Sequence, residues 1–194
     1  MSFNVLVIPE DFRRDEHLLK PIVERLVDEC RKQARVRVCR DPLLGGVHEA
    51  LKWPRIREIV DRYRGMVHCF LLIVDRDGDG ARRRRLDQIE REANDYLGSD
   101  RLFLAENAWQ EIEVWALAGV SDLPNHWTWA EVRGEPNAKE AYFEPYVVLR
   151  GLATHPFGGR QVLGREAARN YVRIRRLCPD DVENIEKRLR KRLE

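Results

Sequence analysis

Short apolar runs alternate with helical patterns along the first part of the chain. The apolar runs predict strands at 5–8, 66–74 and 101–106. Valines that alternate with arginines predict a strand with one solvated face at 36–38. Apolar residues at helical spacing predict helices over about 15–33, 47–63 and 84–97, the second broken at Pro54, and a further helix from Trp109 to Ala116. Strands that alternate with crossover-length helical segments predict a doubly wound α/β fold, a mostly parallel sheet flanked by helices.

The pattern changes after Gly119. A segment rich in turn residues covers 120–137, and helices are predicted near 138–150, 165–177 and 179–193. We therefore predict an α/β domain over 1–119 and a helical extension packed on it over 120–194. A chain of 194 residues with 43% apolar content is long enough to bury a substantial core.

Cysteine content and the N-terminal sequence indicate the cellular compartment of the protein. The four cysteines form no C-x-x-C pair, which is typical of free thiols in a reducing compartment and gives no support to a zinc site. The apolar run at the N-terminus is too short for a signal peptide or a membrane span. These features predict a cytoplasmic protein that does not associate with membranes.

The segment LLIVDRDGDG contains the most distinctive motif, at residues 71–80. DRDGDG matches the start of an EF-hand loop, but the twelfth position is Leu86 where calcium binding requires Glu, and a strand-like run precedes the loop. The alternative is a site at the carboxyl end of a strand, where Asp75 and Asp77 project to one face and bind Mg²⁺ or Mn²⁺. A solvated Asp-Gly turn also fits the motif.

Other acidic residues follow predicted strands. Glu10 comes after the first strand, Glu106 ends the fourth, and Glu111 and Glu113 follow within one helical turn. Glu113 shares a helix face with Trp109, so it either pairs with a cation or reaches solvent at the rim.

In their order along the chain, these residues resemble the TOPRIM family, the metal-binding domain of topoisomerases, primases and OLD-type nucleases. The matching elements are the strand ends VIPE and LLIVDRD and a late acidic helix. The chain is more similar still to small stand-alone bacterial TOPRIM-like proteins of unknown function. In those proteins the elements corresponding to EDFRRDE, LLGGVHEAL, VDRDGD and IEVWALA occur in the same order. The resemblance spans residues 1–119 well and the tail more loosely, through GREAARNYV and RRLCP.

The resemblance implies a role for each matching acid. Glu10 would be the general acid or base and also a metal ligand, and Asp75, Asp77 and Glu113 would bind Mg²⁺. Asp15 or Glu16 would supply the second acid of the first motif. The sequence departs from the family at Asp11, which replaces the usual Gly, and the spacing to the next acid is longer.

Basic residues suggest where a phosphate backbone would bind. Arg82 and Arg83 begin a four-arginine run directly after the acidic motif, where cations oppose the helix dipole. With Arg160 and Arg165 they are candidates for phosphate contacts. Residues 160–194 carry eleven Lys and Arg against six Asp and Glu, which suits nucleic acid, although a solvated basic helix fits equally well. The whole-chain charge of +2 neither requires nor excludes a polyanionic partner such as nucleic acid.

Two functions follow from the resemblance. The first is a Mg²⁺-dependent nuclease or related phosphodiester-cleaving enzyme acting on DNA or RNA, by family association a bacterial defence or toxin component. The second is a catalytically silent TOPRIM-like module that binds nucleic acid, nucleotide or a partner protein. A partner encoded by a neighbouring gene and a homo-oligomer are both compatible with these functions. A flavodoxin- or receiver-like domain ranks last, because the acids are spread over three strand ends.

Overall fold

The computed structural model describes residues 3–31 and 33–193. Its four strands are β1 (Phe3–Pro9), β2 (Ala34–Val38), β3 (Cys69–Asp75) and β4 (Leu102–Ala108). All neighbouring strands are parallel, in the order β2-β1-β3-β4. This confirms the predicted α/β fold with a parallel sheet flanked by helices.

Helices connect and extend the sheet. The first five are α1 (Phe12–Cys30), α2 (Val47–Ala50), α3 (Trp53–Tyr63), α4 (Arg82–Leu97) and α5 (Glu113–Gly119). After them come α6 (Trp129–Gly134), a π-helical turn (Lys139–Phe143) that continues into α7 (Glu144–Leu149), and a 3₁₀ turn (Pro156–Gly159). The chain ends in α8 (Arg160–Arg169), α9 (Tyr171–Leu177), a second π-helical turn (Pro179–Glu183) and α10 (Asn184–Leu193). No helix among the described residues is long and apolar enough to cross a membrane.

The sheet buries both of its faces, as its continuous apolar strands require. Alternate side chains of β1 and β3, including Val7 and Leu71, pack with α1, α5 and the C-terminal helices in one core. The intervening side chains, including Leu6 and Leu72, pack with α3 and α4 in the other. The helices after Gly119 therefore share their core with α1 and the sheet.

A close helix crossing positions the start of α8. A Cβ atom on Gly164 would lie 2.2 Å from the backbone oxygen of His17, so only glycine allows this approach of α8 to α1. A Cβ on Gly119 would likewise lie 2.4 Å from the Cα of Ala167. Two glycines thus hold α8, and Arg160 at its first turn, against α1 and α5.

Several predicted boundaries are wrong. Helix α1 begins three residues earlier than predicted because the Asp11 side chain accepts a hydrogen bond from the Arg13 amide and caps the helix. Strand β3 begins at Cys69, and β4 continues past Glu106 to Ala108. The helix behind β4 begins at Glu113 rather than at Trp109.

The tail also differs from its prediction. The turn-rich segment contains α6, whose start is fixed by reciprocal hydrogen bonds between Thr128 and Glu131. The single helix predicted over 165–177 is two helices, α8 and α9, which meet at Asn170.

Candidate metal centre

The acidic residues that follow β1 and β3 lie at the point where the strand order reverses. Strand β2 lies on one side of β1, whereas β3 and β4 lie on the other. In open parallel sheets, ligands bind in the crevice beyond the strand ends at this reversal. Glu10 follows β1 here, and its Oε1 accepts a hydrogen bond from the Asp75 amide at 2.7 Å.

Three carboxylates converge at this edge. Asp75, Glu111 and Glu113 each offer an oxygen, and these oxygens all lie within 4.8 Å of one another. Glu113 is buried, while Asp75 and Glu111 are half-buried. Asp75 comes from the end of β3, whereas Glu111 and Glu113 come from the loop after β4 and the start of α5. We call these three residues the acidic cluster.

Backbone amides fix the orientation of the acidic cluster. Asp75 Oδ1 accepts from the Ile112 amide at 2.8 Å, and Glu111 Oε2 accepts from the Lys139 amide at 2.6 Å. Because these donors lie on separate segments, the fold sets the spacing between the carboxylates before any ligand binds.

The loops after β3 and β4 are joined at Gln110, which has a left-handed φ of 70°. Its backbone oxygen accepts from the amides of Arg76 and Asp77, at 2.7 and 3.0 Å. Its side-chain oxygen accepts from the Gly78 amide at 2.9 Å. These bonds connect the DRDGDG turn to the loop that carries Glu111.

Burial and mutual repulsion shift the protonation of these acids. Burial, the largest cause, raises the pKa values of Glu10, Asp15 and Glu111 to about 7. Burial, followed by the charges of Glu113, Glu10 and Asp15, raises the pKa of Asp75 well above its usual value. The site therefore concentrates acids that are costly to ionise together unless a cation joins them.

A cation, Arg160, contacts the acidic cluster. Arg160 forms an ion pair with Glu113, and the two residues are 6% and 3% exposed. Glu113 is thus buried with a cationic partner, the first of its two predicted environments. Arg160 Nη1 is buried and has no hydrogen-bond partner among the described residues.

The structure separates Asp77 from Asp75. The prediction that both project from one strand face is wrong, because β3 ends at Asp75 and Asp77 has a left-handed φ of 47°. Asp77 is exposed and pairs with Arg82 Nη1 at 2.6 Å. Its charge still contributes to the raised pKa values of Glu10 and Glu111.

Glu106 lies outside the acidic cluster, which corrects its predicted place among the strand-end acids. Its side chain is 2% exposed and pairs with Arg83. Asn184 donates to it at 2.7 Å, and Arg188 lies 3.3 Å away. Because β4 extends two residues beyond it, Glu106 is a mid-strand residue.

The remaining predicted residues occupy different surroundings. Asp15 is half-buried, and the charges of Glu113 and Arg160 contribute to its shifted pKa. Glu16 pairs instead with Arg40 at 2.6 Å. Arg165 is exposed on α8.

Arg82 and Arg83 are engaged with the protein itself. The Arg82 side chain is buried and donates to the Asp75 backbone oxygen as well as to Asp77. Arg83 donates to the Ala105 backbone oxygen at 2.9 Å and also pairs with Glu106. Both side chains fix the turn and α4 in place, so any phosphate contact would compete with these bonds.

Sequence reasoning did not assign Glu111 as a metal ligand. Its proximity to Asp75 depends on the left-handed Gln110 and on the Lys139 amide, 28 residues further along the chain. The sequence feature that could have identified Glu111 as a ligand is its position two residues before Glu113.

Comparison with known proteins identifies no relative. No protein-family model, no curated protein and no solved structure matches this chain. The TOPRIM resemblance therefore stays a prediction from the motifs.

Proposed function

We propose that this protein is a metal-dependent nuclease or related phosphodiester-cleaving enzyme of the TOPRIM type. The observation that supports the proposal best is the convergence of Asp75, Glu111 and Glu113 oxygens within 4.8 Å at the strand-order reversal. The four cysteines are free thiols, which favours a reducing compartment such as the cytoplasm.

The donor set suits Mg²⁺ or Mn²⁺. All three donors are carboxylates, the oxygen ligands that hard divalent cations prefer, and no His or Cys joins the cluster among the described residues. A cation bound there supplies charge neutralisation on the phosphate and a lower pKa for a bound water. Asp77 lies close enough to influence the cluster electrostatically, and it stays a predicted ligand that would have to leave Arg82.

Glu10 has the properties of a proton-transfer group. Its pKa is raised to about 7, mainly by burial, so both protonation states are populated at neutral pH. Its hydrogen bond to the Asp75 amide places it beside the acidic cluster. In phosphodiester hydrolysis Glu10 would accept the proton of the attacking water or donate one to the leaving oxygen.

A cleavage assay tests this proposal. Purified protein is incubated with single- and double-stranded DNA and RNA in Mg²⁺, Mn²⁺ or EDTA. We expect cleavage that EDTA abolishes and that Asp75→Asn lowers at least about 100-fold. Asp79→Asn is the matched control, because Asp79 is exposed in the same turn and asparagine can still accept from the Ala81 amide.

One observation favours the silent binding module as a second candidate. Arg160 already places a positive charge on Glu113, which lowers the need for a metal at that carboxylate. Divalent-ion binding alone does not separate the two candidates. Binding of metal and nucleic acid without cleavage, in folded protein, would favour the silent module over the nuclease.

A further inference from the structure

A groove lies next to the acidic cluster. It has a volume of about 570 Å³, and its lining includes Arg13 and Arg14 from α1, Lys139 from the first π-helical turn, and Phe157 and Arg160 from the segment that begins α8. We call this cavity the basic groove.

Two residues connect the basic groove to the acidic cluster. The Lys139 amide donates to Glu111, and Arg160 pairs with Glu113. A ligand in the groove would therefore lie beside the carboxylates that are proposed to bind the metal.

An exposed aromatic ring forms part of the groove. Phe157 is 53% exposed and has a left-handed φ of 59°, which is an unfavourable backbone conformation for this residue. The His17 ring stacks on it, with the ring centroids 3.6 Å apart and the planes inclined by 22°. One face of Phe157 is thus supported by His17, while much of the ring stays open to solvent.

The charges of the groove favour an anionic ligand. Four of its residues are cationic and one, Glu144, is acidic. Arg13, Lys139 and Arg160 each pair with a carboxylate, that of Asp11, Glu140 and Glu113 respectively. Arg14 is exposed and forms no ion pair among the described residues. Arg160 lines the groove and has one buried nitrogen without a hydrogen-bond partner, as described above.

We infer that the basic groove binds single-stranded nucleic acid, with an unpaired base stacked on Phe157 and the backbone phosphates near Arg14 and Lys139. This inference rests on the proposed function and deepens it by naming the substrate class. An aromatic platform beside cations is the combination that binds single strands without sequence preference. Bases within a duplex are stacked on each other and do not offer a free face to the ring. An apolar protein helix would leave the exposed Arg14, which forms no ion pair among the described residues, without a partner.

Binding of labelled oligonucleotides tests the inference separately from cleavage. In EDTA, fluorescence anisotropy is measured with a single-stranded 12-mer and with its duplex. We expect Phe157→Ala to weaken single-strand binding about 5- to 100-fold and Phe157→Tyr to retain it. Val172→Ala is the control, because Val172 is a 61% exposed apolar residue on α9.

A second variant tests how much the charge of Arg14 contributes to nucleic-acid binding. Arg14→Ala should reduce the slope of log affinity against log salt by about 0.7, the change expected for one phosphate contact on a single strand. Arg91→Ala, at an exposed position of α4 outside the groove, should leave the slope unchanged. Thermal unfolding of each variant checks that it is folded.

The outcomes separate this inference from the proposed function. Wild-type affinity in folded Phe157→Ala and Arg14→Ala overturns the groove inference, even if cleavage that depends on Asp75 is found. A preference for duplex, or loss of self-association rather than of nucleic-acid binding in Phe157→Ala, also overturns it. Weakened single-strand binding without any cleavage by the wild-type protein supports the groove and contradicts the nuclease.

Discussion

Glu106 and the acidic cluster both lie at the sheet, and they differ in how their negative charges are balanced. Glu106, in β4, is 2% exposed and is surrounded by Arg83, Arg188 and Asn184. The acidic cluster contains three carboxylates and one ion pair, to Arg160.

The difference distinguishes a structural acid from a candidate ligand. A buried carboxylate is tolerated when cations and donors satisfy it, and removing it then leaves those cations buried without a partner. It is costly when like charges surround it. Glu106 has a complete set of partners from α4 and α10, so we assign it to packing. The acidic cluster gathers carboxylates at the strand-order reversal, the edge where open parallel sheets bind ligands, so we propose that it is functional.

The largest expected effect is on stability at Glu106. Glu106→Ala removes the acid between Arg83 and Arg188, and we expect it to lower the free energy of unfolding by about 3 kcal/mol. Chemical denaturation measures this change. A loss below about 1 kcal/mol would mean that Glu106 is not the structural acid described above.

The acidic cluster should respond in the opposite direction. Asp75→Asn removes one of several repelling charges and keeps an oxygen that can accept from the Ile112 amide. In EDTA at pH 8 we expect it to raise the free energy of unfolding by about 1 to 2 kcal/mol. The stabilisation by Mg²⁺ that we expect of the wild-type protein should be lost. Destabilisation in EDTA would contradict the distinction between Glu106 and the acidic cluster.

The pH dependence of stability should show the same excess charge. The pKa values of Glu10, Asp15 and Glu111 are raised to about 7 in the folded protein, so the folded state binds more protons than the unfolded state between about pH 4 and 7. Stability from these groups is therefore present at low pH and is lost as pH rises through 7.

Melting temperatures measured in EDTA from pH 5 to 8 test this dependence. Those of the wild-type protein should fall across the range more steeply than those of a Glu10→Gln, Glu111→Gln double variant. Saturating Mg²⁺ should flatten the wild-type profile. Identical slopes for the two proteins would count against the raised pKa values.

The smallest expected effect is at Asp77. It is exposed and pairs with Arg82, so Asp77→Asn should change the free energy of unfolding by about 0.5 kcal/mol or less. Its effect on Mg²⁺ affinity, measured by calorimetry, should be smaller than that of Glu111→Gln. A larger loss of Mg²⁺ affinity in Asp77→Asn than in Glu111→Gln would mean that Asp77 is a main metal ligand.

The periodicity of apolar residues predicts the fold class correctly, but it does not predict where β4 ends or how the loops are arranged. Apolar runs identified β1, β3 and β4, because burial on both faces requires continuous apolar residues. Strand β2 was identified by valines that alternate with arginines. The end of β4 was misplaced, since Glu106 was expected to end the strand, whereas Arg83 and Arg188 satisfy it within the sheet.

The candidate site was only partly predictable for a similar reason. Glu10 and Asp75 follow strands that the pattern identifies, and adjacent parallel strands bring them together. Glu111 depends on the left-handed Gln110, and Arg160 depends on the close approach of α8 at Gly164. Neither tertiary arrangement has a periodic signal in the sequence.

Direct titration with Mn²⁺, followed by electron paramagnetic resonance, tests the central claim that the acidic cluster binds a divalent cation. The wild-type protein and Glu106→Gln, which keeps hydrogen-bonding atoms at the structural acid, should both bind Mn²⁺. Asp75→Asn and Glu111→Gln should each lose that binding while remaining folded. Equal Mn²⁺ binding by all four proteins, or by none of them, would contradict the account.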